Sequence, residues 1–251
     1  GINYERVLEG RDDFADQLRS LTPESVADAV ANRRGMFGGF DQWSERPAVL
    51  DWMRFKHAAV EEHIAAIFAG IKEYHPDLAV GVSSRMPSLA PITGHNLRRT
   101  RAYSDFQLPK LYWWPGGVAG FRGTAMNWVE TLGQWNPGLG IDRAAEWFAA
   151  AFDVPVSDDY PIMEWGSEAP DLWFEATVDD QLRKMIAAVG GVDAFVPWVG
   201  LEHFGSTWIT PSELRRMLAV MQKHGVKRYS YFVYNSLTPD YWDVIREFSR
   251  D

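Results

Sequence analysis

The sequence predicts an α/β protein, a (β/α)8 barrel of the TIM type that lacks its first one or two strands in this chain. Short apolar runs alternate with amphipathic helical patterns, an order typical of a parallel sheet with helical crossovers. Most of these runs end in an aromatic residue or a carboxylate. In a barrel such ends meet at one mouth, whereas a doubly wound sheet concentrates its site at one switch point. The length of 251 residues suits one barrel, so we expect residues 1–251 to form a single, partial barrel domain.

Three helix-to-strand steps support this prediction. Apolar residues recur at three- and four-residue steps from Leu50 to Tyr74, and the pattern stops before Pro76, as helices do. The apolar run Leu78–Ser83 that follows is typical of a strand buried on both faces. The same step recurs in two further helix and strand pairs: Gln181–Val189 with Ala194–Val199, and Pro211–His224 with Arg228–Tyr234. Thr210 is the predicted N-cap of the last helix, and Gly225 marks its end.

Three more runs complete a set of six predicted strands: Ile2–Glu5, Leu108–Trp114 and Tyr160–Trp165. Six strands are two short of a full barrel, so we expect the missing pair to precede Gly1. On this interpretation Ile2–Glu5 is the third strand and Arg228–Tyr234 is the eighth. The segment Arg11–Glu45 is then a long excursion after the third strand, of the kind that builds the wall of a site.

Composition excludes several classes of function. The formal net charge is −9 without a basic stripe, which would repel a nucleic-acid backbone. The chain has no cysteine, so thiolate metal sites, iron–sulfur clusters and cysteine nucleophiles are excluded. No run approaches the roughly 18 apolar residues of a membrane span, and the amino terminus lacks a signal-peptide pattern. We therefore expect a water-soluble protein, cytoplasmic or secreted, although a targeting segment could have been lost upstream of Gly1.

Three glutamates stand at predicted strand ends: Glu5, Glu164 and Glu202. Cleavage of a glycosidic bond needs two carboxyl groups that face each other across that bond. Glu164 is the strongest candidate, because it interrupts an apolar run between Met163 and Trp165. Such surroundings favour the protonated form that a general acid requires. The alternative is that Glu164 forms a structural ion pair with an arginine.

The chain contains 12 tryptophans, more than core packing normally uses. Five of them fall at or near predicted strand ends: Trp113, Trp114, Trp165, Trp198 and Trp208. Flat aromatic faces suit the C–H face of a sugar ring, while polar groups take its hydroxyls. We predict that these tryptophans line a sugar site together with His95, His203, Tyr234 and Asn235. Core filling is the alternative for any single tryptophan.

Short motifs resemble bacterial (β/α)8 glycoside hydrolases, including loosely characterised barrel proteins that are grouped as glycosyl hydrolases. The motifs are Gly1–Arg6 (GINYER), Trp52–Lys56 (WMRFK) and Ile71–Leu78 (IKEYHPDL). The resemblance implies that Glu164 is the acid/base residue and that Glu5 or Glu202 is the nucleophile. Members of the family commonly carry Asp where this chain has Glu5.

The sequence therefore predicts a glycoside hydrolase that uses two carboxylates on an oligosaccharide, polysaccharide or glycoside. We expect no cofactor, no metal, no nucleic-acid partner and no membrane partner. One alternative is a barrel that binds carbohydrate without cleaving it. Another is a lyase or isomerase with His95 or His203 as the base, which would require a histidine within hydrogen-bond reach of a carboxylate. Oligomeric contacts are a further explanation for exposed aromatic residues.

Overall fold

A computed structural model describes residues 3–32, 46–113, 120–155, 171–201, 209–232, 235 and 237–249, which form an α/β fold. The described helices are α1 Tyr4–Arg19, α2 Pro23–Asn32, α3 Pro47–Tyr74, α4 Leu97–Thr100, α5 Phe121–Trp135, α6 Ile141–Ala151, α7 Asp171–Val189, α8 Pro211–Lys223 and α9 Pro239–Glu247. Three short 3-10 turns, Pro91–Thr93, Arg101–Tyr103 and Val192–Ala194, join these elements. No helix within the described ranges is long and apolar enough to cross a bilayer.

The described strands form one four-stranded parallel sheet. They are β1 Gly81–Ser84, β2 Phe106–Leu111, β3 Trp198–Gly200 and β4 Ser230–Phe232. Their order in space, β1-β2-β3-β4, is also their order in the chain. Each of the four lies inside or beside a run that the sequence predicts as a strand, and the helices α3, α7 and α8 confirm the three helix-to-strand steps.

The run Tyr160–Trp165 lies outside the described residues. Because β2 pairs directly with β3, through Lys110 with Trp198 and Leu111 with Val199, no further strand separates these two. The described strands form an open sheet and do not close into a barrel.

The prediction of a strand at Ile2–Glu5 is wrong. Asn3 is the N-cap of α1, and its side-chain oxygen accepts a hydrogen bond from the backbone N–H of Arg6 at 3.2 Å. Glu5 therefore lies exposed in the first helical turn. The physical reason is that a run of only four residues is a weak strand signal, while the cap satisfies a free helical N–H and an acidic residue in the first turn favours the helix. The expected excursion Arg11–Glu45 is instead helical over its described part, in α1 and α2.

The sheet buries one face against helices. Successive side chains of a strand point to opposite faces, and β2 alternates between half-buried and buried residues. Leu111, Trp113 and Val199 are at most 2% exposed and belong to the main hydrophobic core. That core also contains apolar residues of α5, α6, α7 and α8. The other face of the sheet, which carries Lys110 and Trp198, lies outside this core.

Close packing of α1 on α3 depends on a glycine. Gly10 of α1 is buried, and a Cβ atom placed on it would overlap the backbone carbonyl of Ala48 in α3. Arg6 of α1 also donates to Asp51 of α3, with 2.5 Å between Nε and Oδ2. The guanidinium of Arg6 holds the pKa of Asp51 below its usual value. Contact between the two backbones and one ion pair thus hold the two helices together.

We predict that Gly10→Ala destabilises the protein by about 1 to 3 kcal/mol, because the α1 and α3 backbones must separate. Gly70→Ala is the matched control within a helix, since a Cβ atom there meets nothing within 4 Å. The control variant should be more stable by about 0.5 to 1 kcal/mol, because alanine loses less backbone entropy than glycine on folding. Urea unfolding followed by circular dichroism measures both changes. Equal effects of the two substitutions would contradict the close contact.

Candidate functional site

The candidate site lies at the carboxyl end of β2 and along the short strands β3 and β4, on the sheet face outside the helical core. Lys110 of β2 pairs with Trp198 of β3, which pairs with Ser230 of β4. Residues that pair across adjacent strands lie on the same face. Two residues further along the strands, Gly200 pairs with Phe232. Continuing the same register, the residue that directly follows β2 lies level with Gly200 and on the same face as Lys110.

That residue is Tyr112, and it forms the strand-end aromatic cluster with Trp198 and Phe232. The ring centroids are 6.0 Å apart for Tyr112 and Trp198, 5.4 Å for Tyr112 and Phe232, and 5.6 Å for Trp198 and Phe232. The first and last pairs are edge-to-face, and the second is stacked. Tyr112 and Phe232 belong to strands that are separated by β3. Their rings can meet because the residue between them, Gly200, has no side chain.

The three rings differ in exposure. Tyr112 is only 3% exposed, whereas Trp198 and Phe232 are half-buried. Burial raises the pKa of the Tyr112 phenol well above its usual value, so the hydroxyl stays protonated. The cluster therefore offers accessible aromatic surface supported by a buried tyrosine.

Three basic side chains lie beside the aromatic cluster: Arg85, His95 and Lys110, which we call the basic cluster. Lys110 Nζ is 6.0 Å from the ring centroid of Tyr112. Burial lowers the pKa of Lys110, and the nearby charge of Arg85 lowers it further. Burial likewise lowers the pKa of Arg85. The pKa of His95 is lowered by burial first, then by Lys110 and His57, so His95 is neutral near pH 7.

Two hydroxyl groups complete the polar lining near β1. The side chain of Thr93 is 3.1 Å from Nδ1 of His95, which holds the orientation of the imidazole. Ser83 pairs with Leu108 in the ladder and so shares the face of Lys110. Among the described residues, the hydroxyl of Ser83 is buried without a hydrogen-bond partner. It is a polar group at the site that a bound molecule could satisfy.

Backbone hydrogen bonds join the residues that flank two strand-to-helix connections, the one after β2 and the one after β3. The N–H of Phe121, at the start of α5, donates to the carbonyl of Tyr112 at 2.6 Å. After β3, the N–H of Leu201 donates to the carbonyl of Phe232 at 2.6 Å, and the N–H of Ile209 donates to the carbonyl of Leu201 at 3.2 Å. The described residues on either side of each connection are therefore held together beside the aromatic cluster.

A buried ion pair joins the two helices that follow these connections. Arg122 Nη1 of α5 is 3.6 Å from Glu213 Oε1 of α8, and their side chains are 4% and 7% exposed. Glu213 also accepts from the backbone N–H of Thr210 at 2.8 Å, while the Thr210 hydroxyl accepts from the Glu213 N–H at 3.1 Å. This capping box confirms Thr210 as the N-cap of α8. The φ angle of +77° at Gly225 is consistent with its predicted place just beyond the end of the helix.

The structure brings only part of the predicted site together. Trp198 lies on the face of the aromatic cluster but is the first residue of β3, so the expectation that it stands at the carboxyl end of its strand is wrong. His95 lies between β1 and β2, just before the N-cap Asn96 of α4. Asn235 is exposed shortly after β4. Trp113 is fully buried and stacks on Phe121 with centroids 5.3 Å apart, because odd-numbered residues of β2 face the core. Glu5 lies on α1 and is not at a strand end. The other predicted site residues lie outside the described residues: Trp114, Glu164, Trp165, Glu202, His203, Trp208 and Tyr234.

Sequence reasoning missed Tyr112, Phe232, Lys110 and Arg85. A signal was present for Lys110, since a charged residue inside the run Leu108–Trp114 is out of place in a strand buried on both faces. The run also contains three consecutive aromatic residues, and alternation allows only alternate ones to share a face. The choice between Tyr112 and Trp113 depends on register, which the sequence of one strand does not reveal.

Among the described residues, the pair of a histidine with a carboxylate lies away from the aromatic cluster, between α7 and the end of α8. Nε2 of His224, just after α8, is 2.7 Å from Oδ1 of Asp179 in α7. Both residues belong to the helical layer and lie outside the strand ends. His95, by contrast, has the Thr93 hydroxyl as its described side-chain partner.

We predict that Arg122→Leu destabilises the protein by about 3 to 5 kcal/mol, because it leaves the Glu213 carboxylate buried without its cation. Arg215→Leu is the control, since Arg215 also binds a carboxylate, that of Glu247 at 2.8 and 2.9 Å, but is about half exposed. An exposed pair contributes under about 1 kcal/mol. Urea unfolding of both variants is the measurement, and a small effect of Arg122→Leu would show that the two helices do not depend on this pair.

Comparisons with known proteins give one distant structural likeness. No protein-family model matches the chain, and no curated protein matches it. A solved structure that is similar is the PgaB (BpsB) glycoside hydrolase domain from Bordetella bronchiseptica, with a TM-score of 0.49 and 14% sequence identity. The alignment covers 83% of this chain and 47% of that one, so the chain spans about half the length of the domain that it matches.

Proposed function

We propose that this chain is a glycoside hydrolase of the (β/α)-barrel class, with its sugar site at the carboxyl ends of the strands. The observation that carries the proposal is the strand-end aromatic cluster of Tyr112, Trp198 and Phe232, on the sheet face outside the helical core. In parallel α/β folds this end of the strands is where ligands bind. The sequential strand order is also that of a barrel.

The composition of the site favours a saccharide over a wholly apolar ligand. Trp198 and Phe232 keep part of their ring surface accessible, and such surfaces suit the C–H face of a sugar ring. Hydroxyl groups of the sugar need polar partners in the same pocket. Ser83, His95 and Lys110 supply such partners on the β1 and β2 side of the cluster.

Hydrolysis requires two carboxyl groups across the bound glycosidic bond. We assign the general acid to Glu164 and the nucleophile or general base to Glu202. Glu202 is the next residue after Leu201, whose N–H is bonded to Phe232 beside the aromatic cluster. Glu164 is flanked in the chain by Met163 and Trp165, apolar neighbours that favour a protonated acid. The position of Glu5 on an exposed helical turn removes the reason for assigning it a catalytic role.

In this mechanism Glu164 donates its proton to the oxygen that leaves, while Glu202 attacks the anomeric carbon or deprotonates a water. Separations of about 5 to 5.5 Å between the carboxyl groups give retention, and about 6.5 to 9.5 Å give inversion. The aromatic cluster would orient the sugar so that the bond lies between the two groups, which is the usual contribution of positioning to catalysis.

A second candidate is a barrel that binds saccharide without cleaving it. It is favoured by one observation: the described residues that directly follow β1, β2 and β3 are Arg85, Tyr112, Trp113 and Leu201, none of them acidic. The lyase or isomerase alternative has less support, because the described side-chain partner of His95 is a threonine hydroxyl and not a carboxylate.

We predict that Glu164→Gln and Glu202→Gln each lower the rate of oligosaccharide cleavage by about 10²- to 10⁴-fold, as expected on loss of a proton-transfer group. The measurement is the release of reducing ends from a panel of neutral and acidic oligosaccharides. Glu73→Gln, on the exposed surface of α3, is the matched control and should cleave at the wild-type rate. Glu5→Gln should do the same.

Binding measured on the same panel separates the two candidates. Saccharide binding that depends on Trp198, without cleavage by the wild-type chain, would support the non-catalytic barrel and overturn the hydrolase. Cleavage that is lost with Glu5→Gln and retained with Glu202→Gln would overturn the assignment of the nucleophile.

A further inference from the structure

Lys110 is a half-buried lysine whose amine has no hydrogen-bond acceptor among the residues that the structure describes. Its side chain lies in one row with Trp198 of β3, and its Nζ atom is 6.0 Å from the ring centroid of Tyr112. Burial lowers the pKa of Lys110, and the nearby charge of Arg85 lowers it further. The neutral amine, which is the nucleophilic form, is therefore more populated here than at an ordinary lysine.

The other lysines of the chain have partners or are exposed. Lys72 and Lys184 form ion pairs with carboxylates, at 2.9 and 2.8 Å. Burial lowers the pKa of Lys56 as well, but its Nζ atom donates to the backbone carbonyl of Ile92. The remaining two are exposed to water: Lys223 and Lys227. Lys110 thus differs from all of them in being withdrawn from water with its amine unbonded.

His95 is placed to take up a proton from a reacting amine. The Thr93 hydroxyl donates its only proton to the carbonyl of Ala90 at 2.8 Å. Its 3.1 Å contact with Nδ1 of His95 is therefore a hydrogen bond that the ring donates. The lowered pKa of His95 keeps the ring neutral near pH 7, so its lone pair is on Nε2. Lys110 is close enough for its charge to contribute to that shift.

The hydroxyl of Ser83 lies on the same face of the sheet. Ser83 pairs with Leu108, two residues before Lys110 in β2, and alternate residues of a strand share a face. The Ser83 oxygen is buried and has no hydrogen-bond partner among the described residues. Such a hydroxyl can donate to the oxygen of a bound carbonyl group, which makes the carbonyl carbon easier to attack.

We propose that Lys110 is an amine nucleophile that forms an imine with a hydroxylated aldehyde or ketone, whose carbon chain lies against the strand-end aromatic cluster. The cluster supplies apolar contact for the carbon chain, and Ser83 and His95 supply polar groups beside the amine. This activity goes beyond glycoside cleavage and does not depend on it.

The reaction needs no oxidant or reductant. Nζ of the neutral amine bonds to the carbonyl carbon while the carbon–oxygen π bond breaks, and that electron pair moves to the oxygen. His95 accepts a proton from the nitrogen and returns it to the oxygen. The oxygen then leaves as water, carrying the two protons that the amine held, and the C=N bond forms. One amine and one carbonyl compound thus give one imine and one water.

The test is reductive trapping with the full chain at neutral pH. The probes are glyceraldehyde and dihydroxyacetone, isomers that present an aldehyde and a ketone, each with sodium cyanoborohydride to reduce the imine to a stable secondary amine. Peptide mass spectrometry gives the rate of labelling at each lysine. We expect Lys110 to be labelled about 10-fold faster than Lys223 or Lys227, since each unit by which the pKa falls gives roughly tenfold more neutral amine.

Variants link the label to the amine and to the proton acceptor. Lys110→Arg keeps the charge but removes the nucleophile, so the fast label should be lost. Lys227→Met, at an exposed position before β4, is the control and should leave it intact. His95→Gln should slow labelling of Lys110 by about 10²-fold, with partial recovery on addition of imidazole and no change at Lys223. Thermal melts confirm that each variant is folded.

Selective labelling of Lys110 by either isomer supports the proposal, and the faster isomer identifies the class of carbonyl compound. Labelling of Lys110 no faster than that of the exposed lysines would overturn it, as would fastest labelling at Lys56. The outcome is separable from that of the hydrolase proposal. Trapping at Lys110 without cleavage of any oligosaccharide would leave the imine standing and overturn the hydrolase, while cleavage without trapping would do the reverse.

Discussion

The buried ion pair between Arg122 and Glu213 joins the first turns of two helices, α5 and α8, that follow strands of the sheet. Removing a charged group from water costs on the order of several kcal/mol per ion. Only good geometry and further hydrogen bonds offset this desolvation cost. Glu213 meets this requirement by also capping α8 through Thr210. Since α5 and α8 follow β2 and β3 in the chain, the pair links the helices on the far side of both connections.

The two faces of the sheet have different chemistry. Parallel sheets are normally covered on both faces, and here the helical core covers the face of Leu111 and Val199. The opposite face carries a buried tyrosine, Tyr112, together with half-buried aromatic and basic residues outside that core. A cation inside a strand is costly when it is enclosed by apolar groups. Lys110 avoids that cost because it lies on the face outside the helical core.

The sequence could predict the elements whose signals are local. The helix α8 is an example, since Thr210, Pro211 and Glu213 specify its start and Gly225 its end within one stretch of chain. The error at Ile2–Glu5 has the same origin, because a four-residue alternation was outweighed by the cap at Asn3. A local pattern therefore predicts a helix or strand correctly here when several independent signals, such as cap, periodicity and stop residue, agree.

The candidate site was less predictable because it depends on neighbours from different strands. Nothing in the chain near Arg85 indicates that Lys110 will lie beside it, since their proximity follows from the register between β1 and β2. The same is true of Tyr112 and Phe232. Carboxylates and tryptophans were recognisable by type, but their assignment to a face needed the pleat of the folded sheet.

The rings of Tyr112 and Phe232 meet across Gly200, so the shape of the aromatic surface depends on which residue occupies position 200. Any side chain at residue 200 would project between two rings that now touch. A single codon change could thus divide one continuous platform into two smaller ones without altering any aromatic residue. The continuity of the aromatic surface therefore depends on a residue that makes no side-chain contact at all.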